Sequence, residues 1–170
     1  MKTLDQRLAW LAGVIDGEGT VGACLTVNST SRKDGTRHRH LMFRVAIANT
    51  DEAMIREVAE IADTLGVRYC LHISPSRVTK HKPAFVISLS SWTRVEGLLN
   101  AVLPWLVTKR ARADLVLSMI RHRRATARRR GMPIGTPPLL NDVWLMRQLG
   151  TLKVMNQRCR QPEEHDVVGS

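Results

Sequence analysis

The tetrapeptide Asp16-Gly17-Glu18-Gly19 sets two carboxylates one glycine apart at the end of a helical, small-residue run. Carboxylate oxygens are what a hard divalent cation binds. A glycine on each side of Glu18 lets its side chain emerge where the helix gives way to the next element. The same four residues also serve as an ordinary helix cap and turn, and their types alone leave both readings open. Competing chemistries lack their residues. Cys24, Cys70 and Cys159 form no CxxC pair, the six histidines share no metal-ligand spacing, and no Ser-His-Asp, Cys-His or Walker-type arrangement occurs.

The second chemical feature is positive charge. Lys plus Arg number 26 against 15 Asp plus Glu, a formal net charge of +11, and the pI is about 10.8. Such a surplus points to a polyanionic partner. The charge is also segregated: residues 20–50 carry five basic side chains against Asp34 alone, whereas 51–66 carry Arg56 against five carboxylates. The densest stretch, 121–130, has six arginines in ten positions. It reads as a phosphate clamp, an RNA-binding patch or a solvated helix end. No apolar run approaches the ~20 residues that span a bilayer, and MKTLDQRLAW lacks the form of a signal peptide. A soluble intracellular setting without a membrane partner is the expectation; the compartment itself is not legible.

The elements that must position these groups follow from periodicity. One domain is expected over 1–156, with 157–170 as a polar tail. Leu4, Leu8, Leu11 and Ile15 predict a helix over 4–16, stopped by Gly17 and Gly19, with Ala9, Ala12 and Gly13 forming a small-residue stripe. Residues 20–28 and 39–49 alternate as two strands around a loop. Thr50 or Asp51 caps a helix ended by Gly66. Strands over 67–74 and 84–90 flank PSRVTKHKP, and helices follow at 92–103, 109–124 and 139–156. The class is α+β: two hairpins in an antiparallel sheet, with helices on the apolar face only.

On that apolar face fall Val21, Ala23, Leu25 and Val27, then Leu41, Phe43, Val45 and Ile47, then Phe85, Ile87 and Leu89. The opposite face carries Cys24, Thr26 and Asn28, then His40, Met42 and Arg44, then His72, Ser74 and Ser88. Arg32, Lys33, Arg37, His38 and Arg39 surround the first hairpin loop, and Arg68, Arg77, Lys80 and Lys82 the second hairpin. A two-stranded ribbon fits the major groove, where such side chains read base edges. These residues are the candidate surface for double-stranded DNA.

Taken as one nine-residue unit, Leu11-Ala12-Gly13-Val14-Ile15-Asp16-Gly17-Glu18-Gly19 resembles the LAGLIDADG signature of homing endonucleases. Leu11, Ala12, Gly13, Ile15, Asp16 and Gly19 coincide with the signature, Val14 and Gly17 are accepted replacements, and Glu18 stands where Asp is more usual. The order αββαββα agrees over about residues 6–155. The resemblance implies a saddle-shaped sheet and site-specific, intron-encoded double-strand cleavage across the minor groove, leaving short 3′ overhangs. It implies Mg²⁺, with Mn²⁺ or Ca²⁺ able to take its place, held by Glu18 and the Gly17 backbone carbonyl. It further implies catalytic-pocket roles for Asn49 in AIANTD and Lys109 in PWLVTK, and a structural role for Asp16. A further basic pocket residue has no convincing match, Arg44 and Arg56 being the nearest offers.

The motif occurs once, and single-motif members of that family are homodimers. Two chains meeting through the Ala9/Gly13 stripe would gather two Glu18 carboxylates on a two-fold axis and require a near-palindromic site. Strands of about nine residues at ~3.3 Å rise reach roughly 30 Å per subunit, or on the order of 18 bp for two. Two other readings use the same scaffold: an RNA maturase or DNA-binding protein without cleavage, and a half that pairs with a different chain.

Overall fold

Thr3 starts the first helix. Its hydroxyl accepts the Gln6 N–H (3.3 Å) while Gln6 Oε1 accepts the Thr3 N–H (3.0 Å), a reciprocal capping box. The structure, a computed structural model, describes residues 2–27, 39–75, 82–130 and 147–148, leaving aside the side chains of 25–27, 39–40 and 127–130. Helix α1 runs Leu4–Glu18, two residues past the expected end. Gly17 does not stop it. A helical glycine costs only about 1 kcal/mol, and the turn is held from outside by the bonds to Asp16 described below. The stop falls at Gly19, whose N–H donates to the Ile15 (3.0 Å) and Val14 (3.2 Å) carbonyls. No side chain fits there, because a Cβ would lie 2.8 Å from both Cα and O of Ile15.

Strands β1 (Thr20–Val27) and β2 (Arg39–Asn49) pair antiparallel, with Val21 opposite Val45 and Ala23 opposite Phe43. Of the two capping candidates Asp51 acts: its carboxylate accepts the Ala53 (2.9 Å) and Met54 (3.4 Å) N–H groups at the head of α2 (Glu52–Thr64). Gly66, at φ 66°, takes the left-handed turn that ends it. Strand β3 (Cys70–Ser74) begins three residues later than expected. Val67 is still tied to the helix through its N–H on the Ala62 carbonyl (2.8 Å), and Tyr69 through its hydroxyl on Asp63 (3.1 Å). Strand β4 (Ala84–Leu89), helix α3 (Trp92–Val102) and a 3-10 turn (Leu103–Trp105) follow. Helix α4 (Arg110–Arg130) continues six residues past its expected end, since no Gly or Pro interrupts this Ala- and Arg-rich stretch before Gly131. The helix expected over 139–156 and the tail 157–170 lie outside the described residues, apart from Arg147 and Gln148, which are helical.

The sheet is antiparallel throughout, in the order β1-β2-β4-β3. The helices cover its apolar face. Leu11, Ile15, Val45, Ile47, Ile87, Leu99 and Leu117 form the core between the layers, each contributing roughly 1.5–3 kcal/mol by burial. Ala12 is fully buried and belongs to this core, not to the small-residue stripe where the sequence placed it. One position on, Gly13 faces outward, and nothing stands within 4 Å of a Cβ built on Gly13 or Gly17. Strand β3 runs past the helices, so Leu71 and Ile73 are 49% and 60% exposed although they share the parity of Ile87 and Phe85. Among the described residues no helix is long and apolar enough to cross a membrane.

Candidate active site and nucleic-acid interface

The end of α1 is fastened to the start of α4. Asp16 Oδ2 accepts the N–H groups of Val107 (2.7 Å) and Thr108 (3.2 Å), and Oδ1 accepts that of Lys109 (2.8 Å). One carboxylate thus caps three successive backbone donors just ahead of the α4 N-terminus, where negative charge is favoured. Burial alone would raise the Asp16 pKa; these hydrogen bonds outweigh it and hold the carboxyl below its ordinary 3.8. These bonds join the end of α1 to the segment that leads into α4.

Lys109 sits in the same joint. Its ammonium donates to the Ile15 and Asp16 carbonyls, each at 2.7 Å, in the last turn of α1, where the helix dipole favours a cation. Burial lowers its pKa, the Asp16 charge opposes that shift and Arg112 adds to it, for a net downward direction. Glu18, the last residue of α1, is exposed and accepts a hydrogen bond from Asn49 Nδ2 at the end of β2. Asn49 Oδ1 in turn accepts the Asp51 N–H (2.8 Å). Glu18, Asn49 and Lys109 therefore meet around one helix end, although 31 and 91 residues separate Asn49 and Lys109 from Glu18 and the head-on contact of Lys109 is with the backbone.

The donor set at this end is all oxygen. Lys109 and Thr108 take the Ile15 and Asp16 carbonyls, and Gly17, next along the chain and adjoining Glu18, is exposed and has no side chain. Hard cations such as Mg²⁺ and Ca²⁺ fit such donors. Among the described residues no group of three or more His, Cys, Asp or Glu gathers to hold a metal.

Of the expected interface residues, Cys24, Arg44, His72 and Ser74 are exposed on the sheet face away from the helices, and Met42 and Ser88 are partly exposed there. Arg68 and Lys82 are exposed beside it. Thr26 pairs with His40 in the register of that face. Arg39 pairs with Val27 in the ladder. Asn28, Arg32, Lys33, Arg37, His38, Arg77 and Lys80 lie outside the described residues. Arg56 is held by Glu52 (2.6 Å) on the surface of α2, and Arg44 lies five positions along β2 from Asn49. Of the arginine-rich stretch, Arg124 pairs with Glu96 and lies over the Trp92 ring, bracing α4 on α3.

The sequence reading missed Val107, Thr108 and Arg112. Val107 and Thr108 reach the Asp16 carboxylate through backbone N–H groups, which carry no residue signature. Arg112 crosses from α4 to donate to the Val21 carbonyl.

No protein-family model matches the chain, and no curated protein does. Solved structures do. The homing endonuclease I-CvuI, in complex with its target in the presence of Ca, superposes with a TM-score of 0.61 at 21% identity, over 92% of this chain and 88% of that one. The archaeal intron-encoded homing endonuclease I-Vdi141I, complexed with DNA, gives 0.61 at 11% identity over 94% and 89%. The LAGLIDADG meganuclease I-AabMI, bound to uncleaved DNA, gives 0.52 at 21% identity over 86% of this chain but 43% of its own. The α+β arrangement of this chain, with an open four-stranded antiparallel sheet covered by helices on one face, is the fold of the LAGLIDADG homing endonucleases.

Proposed function

We propose that this chain is a homodimeric, divalent-metal-dependent DNA endonuclease of the homing type, cutting both strands of a long, near-palindromic site. The observation that carries the reading is the exposed Glu18 carboxylate at the α1 C-terminus, beside the uncovered Gly13/Gly17 face and at the edge of a polar sheet face. Two copies joined through that helix face would bring two such carboxylates together on a two-fold axis, one for each strand of the duplex. The DNA-bound state of the similarly folded I-CvuI and I-Vdi141I supports the choice of partner.

Glu18 and the Gly17 carbonyl would hold Mg²⁺, with Mn²⁺ or Ca²⁺ as alternatives. The ion, when bound, supplies charge stabilisation for phosphodiester hydrolysis. Asn49 fixes the Glu18 carboxylate and, through Asp51, ties it to the head of α2. Lys109 places a positive charge against the negative end of α1 and so lowers the cost of bringing a phosphate up to it. Arg44, Met42, Cys24, His72 and Ser88, with Thr26 and His40 in register, form the groove-reading surface.

A plasmid library carrying randomised sites tests the reading. Linearised products should form with Mg²⁺ and not with EDTA, and the surviving half-sites should mirror one another. Glu18→Gln should abolish cutting while leaving DNA binding intact. Binding without Mg²⁺-dependent cutting would make the chain a DNA-binding or RNA-maturase relative on the same scaffold.

A further inference from the structure

Gly22 breaks the row of side chains on the polar face of the sheet. It sits in the middle of β1, paired with Arg44 across the ladder, and is nevertheless buried. The group that buries it comes from α4. A Cβ built on Gly22 would lie 3.3 Å from Arg112 Nη2 and 4.0 Å from its Nε, and that same Nε donates to the carbonyl of Val21. Strand β1 is an edge strand, so Arg112 also closes part of an open backbone edge. Its planar guanidinium is tethered at Nε and spreads its other end over the place where a side chain at 22 would stand.

We propose that Arg112 is a phosphate contact of the nucleic-acid interface, its guanidinium standing in for the side chain that Gly22 lacks. The inference rests on the DNA reading above and extends it to a helix that the strand pattern does not implicate. A phosphate, not a base, is the fitting ligand. The bond from Nε to the Val21 carbonyl fixes the guanidinium at the β1 backbone, and most protein–DNA hydrogen bonds go to the sugar-phosphate backbone. Val21 is also only three residues from Glu18, within ~10 Å along an extended chain, so the phosphate held would be close to the one proposed for cleavage. Glycine at 22 is what leaves room for this arrangement.

The test uses the full chain, a mixed-sequence DNA duplex and Ca²⁺ in place of Mg²⁺, with affinity measured between 50 and 200 mM salt. Each lost phosphate contact reduces the slope of log K against log salt by ~0.9. For Arg112→Gln the affinity deficit should therefore shrink by about 3.5-fold across that range, equally on unrelated sequences. Arg112→Lys, which keeps a point charge, should retain the slope. Gly22→Ala should lower it part-way, with Arg112 still present but displaced. Thermal unfolding run in parallel separates loss of fold from loss of contact: a destabilised Arg112→Gln that keeps the parental slope marks Arg112 as an edge brace only and overturns the proposal. A deficit that depends on sequence overturns it too. Failure of the parental chain to bind DNA removes the underlying reading as well, and that outcome is distinct from both.

Discussion

Asp16→Asn isolates the joint between α1 and α4. The amide keeps one accepting oxygen, able to serve the Lys109 N–H, and turns an NH₂ toward the donors of Val107 and Thr108. Hydrogen bonds to a charged acceptor contribute about 1.5–3 kcal/mol. The lower figure applies to these partly exposed groups, so losing the two at Oδ2 costs about 3 kcal/mol. In a chain of this size that corresponds to roughly 6–12 °C in Tm. Chemical and thermal unfolding of both proteins at pH 7 would read it. The pH dependence supplies a second check. Because the folded pKa of Asp16 lies below 3.8, its stabilisation is complete above about pH 5 and is lost as pH falls through the folded value. The gap between parent and variant should therefore narrow below pH 4. A change in Tm under about 2 °C, or a gap that stays constant down to pH 2.5, would refute the reasoning.

Three further outcomes follow from the same geometry. Gly19→Ala should destabilise the chain by ~1–3 kcal/mol, since its Cβ meets Ile15 backbone atoms at 2.8 Å; wild-type stability with full cleavage would contradict this. Gly13→Lys should keep each chain folded, because the site is open and a helical glycine is unfavourable, yet reduce the mass in solution from twice the 19.1 kDa chain mass to that of one chain; an unaltered dimer would exclude this face as the interface. Arg56→Ala should cost no more than ~0.5 kcal/mol and leave cleavage intact, as its partner Glu52 is on the same exposed helix turn; a large loss of cleavage would return Arg56 to the pocket.

The element order was legible because each element carries its own period. Alternation from Val21 to Val27 and from Leu41 to Ile47 marks strands with one apolar face, and Leu8, Leu11 and Ile15 mark a helix. Errors arose where a bond outside the local hydrophobic period decided the outcome. Gly17 looks like a stop until Asp16 is found tied to residues 107–109, and Val67 to Tyr69 look extended until their bonds to Ala62 and Asp63 are seen. Ala12 and Gly13 are both small, and only packing tells which is core. In the candidate site, Glu18 is marked by its neighbours, while Asn49 and Lys109 were reached only through the family likeness. Arg112 was invisible for a plain reason: the contacts that place it beside β1 include the space above a glycine and a backbone carbonyl, neither of which a residue letter announces.

The central claim is that each of two chains contributes Glu18 to a metal-dependent cleavage centre. Solving the chain on a duplex recovered from the cleavage selection, with Ca²⁺ replacing Mg²⁺, tests it most directly. The account predicts two protomers meeting along Gly13 and Gly17, with a Glu18 oxygen of each at ~2.3–2.6 Å from a bound ion. Protomers joined through another face, or an ion bound away from both Glu18 side chains, would contradict it.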